Sequence, residues 1–149
     1  MNSTIDLINK RVSLRKYSER EVAPEVLDVI LNSAMRAPTA GNTMMYSMIV
    51  IRDEEKKKRL SQTCDNQPFI AKAPVVIVFV ADSHKMNKYF KVSGVGEYCE
   101  KNNKNLNTPD LAQLFLAAGD AFIAAQNAVV AAESLGLGTC YIGDRKRVV

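Results

Sequence analysis

Residues 108–136, TPDLAQLFLAAGDAFIAAQNAVVAAESLG, leave the chain less freedom than any other stretch. Thr108 suits a helix cap, Pro109 the first turn and Asp110 the positive end of the helix dipole, while Gly136 is a natural stop. Between them about 26 residues predict a helix on the order of 40 Å long. It is alanine-rich and apolar on nearly every side, so it must be covered on nearly every side. In so short a chain a second subunit is the simplest cover, because small residues let helix backbones approach closely, and a homodimer built on this helix is the favoured reading. The alternative is an oversized monomer core.

The 149 residues suit one domain. With 47% hydrophobic and 24% charged residues, and VVIVFVA at 75–81 as the longest unbroken apolar run, the composition reads as a soluble globular protein with no membrane partner. The start, MNSTIDLINKR, has no apolar block after a basic one and predicts no secretory signal. Three cysteines without CxxC spacing favour the reducing cytoplasm. A net charge of +4, spread among acidic residues, suits an anionic small molecule as well as nucleic acid. A nucleic-acid module has only that charge in its favour, with no aromatic stacking platform or recognition motif, so no nucleic-acid partner is expected.

Strands and helices alternate. Residues 4–10 predict a short helix capped by Ser3 or Thr4. A second helix begins near Pro24, repeats Val26, Leu27, Ile30, Leu31 and Ala34 at helical spacing, and ends before Pro38. YSMIVI at 46–51 predicts a strand, 54–62 a charged helix, and APVVIVFVAD at 73–82 a central strand buried on both faces. Residues 84–107 turn polar and predict a loop or a loosely packed helical excursion. TCYIG at 139–143 predicts a last strand returning to the sheet.

Side chains for acid-base or nucleophilic chemistry are scarce. His84 stands alone, Cys64, Cys99 and Cys140 lack metal-ligand spacing, and no nucleophile elbow, GxGxxG or Walker loop is present. An enzyme of this composition would draw its chemistry from a cofactor, with no catalytic side chain and no metal. RVSLR is the segment that could hold one. In an extended chain Arg11, Ser13 and Arg15 share a face, with Val12 and Leu14 turned toward the protein. Two guanidinium forks and a hydroxyl fit phosphate oxygens, and a solvated edge is the plainer alternative.

Taken together and in order, RVSLR, APTAGNTMMYSMIVI at 37–51, NQPFIAKAPVVIVFVAD at 66–82 and AAQNAVVAAESLGLGTCYIGD at 124–144 resemble the nitroreductase family of flavin mononucleotide (FMN) oxidoreductases, in particular its nicotinamide-dependent flavin reductase-like branch. The resemblance covers nearly the whole chain and is weakest over 84–107. It implies an α/β (α+β) sandwich of mainly antiparallel sheet flanked by helices, a homodimer about the long helix, and residues 1–149 as a single FMN-binding domain. It also implies ping-pong hydride transfer from NADH or NADPH to nitroaromatic, quinone or flavin-type acceptors. A non-catalytic flavin-binding or scaffold protein is the second reading.

Residue by residue, the resemblance assigns the flavin phosphate and pyrimidine edge to Arg11, Val12, Ser13 and Arg15, with Arg15 beside N1 and O2. Thr39 and Asn42 would reach the flavin of the other subunit, and Gln67 would lie near the ribityl chain or pyrimidine. Tyr141, Ile142 and Gly143 would cover one ring face and turn backbone N–H groups toward N5 and O4. Two departures accompany it. Met44 and Met45 stand where many relatives have Gln-Pro, implying a softer, more apolar substrate-side wall. Family members continue past YIGDRKRVV through further helices and a strand that clasps the partner; Arg145, Lys146 and Arg147 are read as solvated.

Overall fold

The structure, a computed structural model, describes residues 2–105 and 110–143. Its elements in order are α1 (Ser3–Lys10), α2 (Pro24–Met35), a 3-10 turn (Ala40–Asn42), β1 (Tyr46–Ile51), α3 (Glu54–Thr63), α4 (Pro68–Lys72), β2 (Val76–Ala81), α5 (Ser83–Val92), α6 (Val95–Lys101) and α7 (Leu111–Ser134).

β1 and β2 pair antiparallel, from Tyr46 opposite Ala81 to Ile51 opposite Val76. Directly opposed residues share a face. Met48, Phe79 and Ile77 turn toward a helical layer in which Ile30 and Ala34 of α2 meet Ala128 and Ala132 of α7. A neighbouring cluster joins Ala37 and Tyr46 to Ala121 and Ala124. The other face of the ribbon carries Ile49 and Val80, both exposed. The expectation of a strand buried on both faces is therefore corrected: the helical layer covers one face, and no third strand pairs with the ribbon among the described residues.

α7 is the rod on which the rest is laid. Asp110 caps it by accepting the Gln113 N–H at 2.8 Å, so the cap is Asp110; Thr108 and Pro109 lie outside the described residues. Its inner stripe of Ala117, Ala121, Ala124, Ala128 and Ala132 is buried. The outer stripe is not: Phe115 is 78% and Phe122 72% exposed. The helix is thus buried on one side within the chain rather than all round. It is also the one described helix long and apolar enough to cross a bilayer, but buried Asp120 and its packing on α2 and both strands mark it as a core helix.

Gly136 ends α7 as expected. At φ +79° it takes the left-handed position after Leu135, and the Gly136 and Leu137 N–H groups return to Glu133 O and Ala132 O, both at 3.0 Å. The hydrophobic side chain of Leu137 tucks into the α2–α7 cluster. Elsewhere α1 is capped by Asn2 through the Ile5 N–H, not by Ser3 or Thr4, and the polar excursion forms α5 and α6. No strand forms at 139–143. One parallel bridge, Ser13 with Thr139, replaces it, because the chain leaving α7 meets the arginine segment rather than the sheet.

Candidate functional site

The reversal at Gly136 throws the chain back along the end of α7. There Glu133 Oε1 accepts both the Thr139 N–H (3.0 Å) and its hydroxyl (2.7 Å), fixing Thr139 so that its carbonyl accepts the Leu14 N–H at 2.8 Å. Gly138 permits the approach, since a Cβ there would collide with the Leu14 side chain. Residues 11–17 are thereby held beside 138–142.

Burial in this segment does not alternate as the strand expectation required. Arg11 is the C-cap of α1 and still turns off the helix, so alternation begins from a helical end. Val12 is 63% exposed and Leu14, although it covers Gly138, is 40% exposed; they do not face the core. Arg11 is half-buried, and its Nη1 is fully shielded yet has no hydrogen-bond partner among the described residues. Ser13 is exposed. Arg15 is exposed too, its guanidinium 5.8 Å from the centre of the Phe69 ring. Phe69 belongs to α4, whose N-cap is Gln67. Gln67 Nε2 donates to Cys64 O at 2.9 Å, which leaves its second N–H and Oε1 to offer a ligand.

Electrostatics tie the same pieces together. Burial pushes the Tyr141 phenol up while the nearby Arg11 charge opposes it, and Tyr141 Oη donates to Gln126 at 3.2 Å. Burial, then the Cys140 thiol, push Tyr17 up against the pull of Arg15. The backbone N–H groups of Tyr141, half-buried Ile142 and exposed Gly143 are without a partner among the described residues. An open hollow of about 440 Å³ is lined by Ser3, Asp6, Leu7, Lys10, Arg11 and Glu133. Two carboxylates there face two cations, so the hollow has no anion preference of its own; the orphan Nη1 does.

Thr39 and Asn42 lie elsewhere. Their loop is fastened to the middle of α7, where Asp120 Oδ1 accepts the Ala40 N–H at 3.2 Å and Oδ2 the Met45 N–H at 3.1 Å. Thr39 Oγ1 accepts the Met44 N–H at 3.2 Å, and exposed Asn42 sits at φ +55°. Asp120 and Glu133, which anchor the two regions, are separated by roughly 20 Å of helix rise. One chain therefore gathers Arg11, Val12, Ser13, Arg15, Gln67 and Tyr141–Gly143, and leaves Thr39 and Asn42 apart. Met45 is buried in the core, so only half-buried Met44 remains of the softened wall. Sequence reasoning missed Asp120; its signal was a carboxylate in the middle of the long apolar helix, far from either end.

Comparison with known proteins settles the grouping. The model of the nitroreductase family matches residues 8–148. The chain belongs to the nitroreductase family. It is 36% identical over 143 residues to a Bacillus subtilis protein named FMN reductase (NADPH), covering 96% of this chain and 55% of that protein. The structure of NfrA2 from B. megaterium superposes with a TM-score of 0.79 at 38% identity, over 96% of this chain and 55% of the other. The NADPH:FMN oxidoreductase of Vibrio harveyi, determined in complex with NAD+, has a TM-score of 0.79 at 27% identity. The chain thus spans about half the length of the relatives it matches, and its mixed helical and antiparallel architecture is that of the nitroreductase fold.

Proposed function

We propose that this chain binds FMN and works as a cytoplasmic, homodimeric NAD(P)H-dependent oxidoreductase that passes reducing equivalents to a nitroaromatic, quinone or flavin-type acceptor by a ping-pong route. The carrying observation is Arg11 Nη1, a shielded cationic donor with no partner among the described residues, placed close to Ser13 and to the Thr139–Gly143 segment that the Ser13 bridge holds there. A buried donor left empty costs free energy unless something fills it, and a phosphate oxygen fits. The names of the Bacillus and Vibrio relatives support the same cofactor and reductant.

FMN, when bound, supplies the two-electron chemistry that no side chain here offers. Arg11 and Ser13 would hold its phosphate by charge-assisted hydrogen bonds. Arg15, steadied on Phe69, would place positive charge beside the pyrimidine edge, where reduction adds negative charge. The N–H groups of Tyr141–Gly143 would line the opposite ring edge, with Gln67 Oε1 as an acceptor. Thr39 and Asn42 would come from a second copy, docked along the exposed Phe115–Phe122 stripe.

Titration of apo-protein by fluorescence quenching should show FMN binding more tightly than riboflavin, which lacks the phosphate, and anaerobic NADPH or NADH should bleach the bound flavin. Equal affinities would remove Arg11 and Ser13 from a phosphate site; binding without bleaching would leave a flavin-binding protein that is not a reductase. Phe122→Glu, at a surface position of the single chain, should make the protein sediment as a monomer and lose FMN together with its partner.

A further inference from the structure

Asp120 is 3% exposed in the middle of α7, and no cation pairs with it among the described residues. A buried carboxylate without a counter-ion is costly unless its oxygens are satisfied by donors. Here both are, by the N–H groups of Ala40 and Met45 at the two ends of one loop. That loop has Gly41 at φ +58°, Asn42 at +55° and Met44 at +48°. Gly41 and Asn42 are residue types that take up left-handed backbone readily, but Met44 is not, and such a conformation in a methionine persists only where the surroundings over-determine it.

We infer that Asp120 is a positioning residue: its carboxylate latches the Thr39–Met45 loop from both ends, so that Thr39 and Asn42 are presented to the cofactor in one fixed geometry. The inference rests on the flavin reading for its consequence and on the structure alone for the latch. A carboxylate is required because both contacts ask for an acceptor. An asparagine of the same shape has one acceptor oxygen and would turn an NH2 group against a backbone N–H. A glutamate would carry its carboxylate one methylene further out and away from the Ala40 and Met45 N–H groups.

The test compares Asp120→Asn with Val129→Ala, which weakens the same helix at a buried apolar position outside the two core clusters. Below the melting temperature of either variant, Asp120→Asn should speed hydrogen exchange at the Ala40 and Met45 amides and weaken FMN binding, each by roughly tenfold, the scale of losing one hydrogen bond to a charged group. Val129→Ala should lower the melting temperature and leave both readings unchanged. In a double-mutant cycle, Asn42→Ala should cost less FMN affinity in the Asp120→Asn background than in the parent, because the loop is already misplaced. Unchanged exchange at Ala40 and Met45, FMN loss proportional to lost stability in both variants, or a full additive effect of Asn42→Ala would reduce Asp120 to a core residue. Should Asp120→Asn not fold, the parent decides: Ala40 and Met45 amides protected like those of Ala121 and Ala124 support the latch, and exchange as fast as the exposed Gly41 amide overturns it. A parent that takes up no FMN ends the flavin reading, while the amide comparison still judges the latch.

Discussion

Between Arg11 and Tyr17 most backbone donors find no partner among the described residues; between Thr39 and Met45 most of them do. In the first region only the Arg11 and Leu14 N–H groups find backbone partners, and Arg11 Nη1 has none among the described residues. In the second, Ala40 and Met45 donate to Asp120, Asn42 to Thr39 O, Thr43 to Ala40 O and Met44 to Thr39 Oγ1. Water serves the exposed donors of the first segment, so only the shielded Arg11 Nη1 asks for a partner from outside the chain. A segment that satisfies itself is built to keep a shape. The two parts of the proposed flavin site therefore divide the work into attraction and placement, and they should fail differently when altered.

The largest effect is expected at Gly138. Adding a methyl group there would drive into Leu14 and lever the arginine segment off Thr139, an overpacking that typically costs about 1–3 kcal/mol. Gly138→Ala should lower the melting temperature in calorimetry and weaken FMN together. An unchanged melting temperature would mean that Leu14 swings aside and the bridge is not what holds the segment.

Arg11→Met sharpens the contrast. Removing a donor that is shielded and unpartnered among the described residues relieves a cost of up to about 1–3 kcal/mol, so the cofactor-free protein should be as stable as the parent or more so, while FMN affinity falls by a similar amount. Asp120→Asn, in the satisfied region, should lose on both counts. Urea unfolding with and without FMN reads the two quantities separately, and a variant of Arg11 that loses stability but keeps FMN would reverse the assignment of roles.

The smallest effect concerns the far end of the loop, where Met45 O accepts the Asp82 N–H at 2.8 Å and the Ser47 hydroxyl donates to the Asp82 carboxylate. That hydroxyl holds Asp82 below its ordinary value of 3.8 against the opposing effect of burial, with the Lys85 N–H, Lys85 and His84 assisting. A depressed native pKa contributes stability that is complete above 3.8 and is lost as the pH falls through the lower native value. Unfolding followed from about pH 6 to about pH 3 should therefore be slightly less pH-dependent in Ser47→Ala than in the parent. Superimposable profiles would show that the Ser47 contact adds nothing.

The sequence made some of this readable and hid the rest for identifiable reasons. Tyr46–Ile51 was legible as a strand because β-branched and aromatic residues run between turn signals, and α2 because Pro24 and Pro38 bracket a helical repeat. Gly136 announced the end of α7, but not that the reversal there brings Thr139 to Ser13. Val12 and Leu14 are less buried than expected because burial was inferred as if the segment were a regular strand, whereas it starts at a helix C-cap and makes one bridge. Residues 139–143 have strand-like chemistry but no strand neighbour beyond that bridge. Likewise the apolar run at 76–81 says that both faces can be buried, not what covers them. Asp120 went unread because its partners are backbone groups some 75 to 80 residues away in the chain, contacts that no local pattern encodes.

The span along α7 between the anchors Asp120 and Glu133 has a consequence for how the protein would behave as its abundance changes. With its attracting half and its placing half anchored that far apart on one rod, the proposed dimer would assemble each site from two molecules. Occupancy then depends on how many chains are present as well as on how much FMN is free. At fixed free FMN, diluting the protein should strip its cofactor, something a site built within a single chain does not do. Scarce chains would lie colourless and idle, and loading would set in as their number rose, making retention of the cofactor a gauge of expression level.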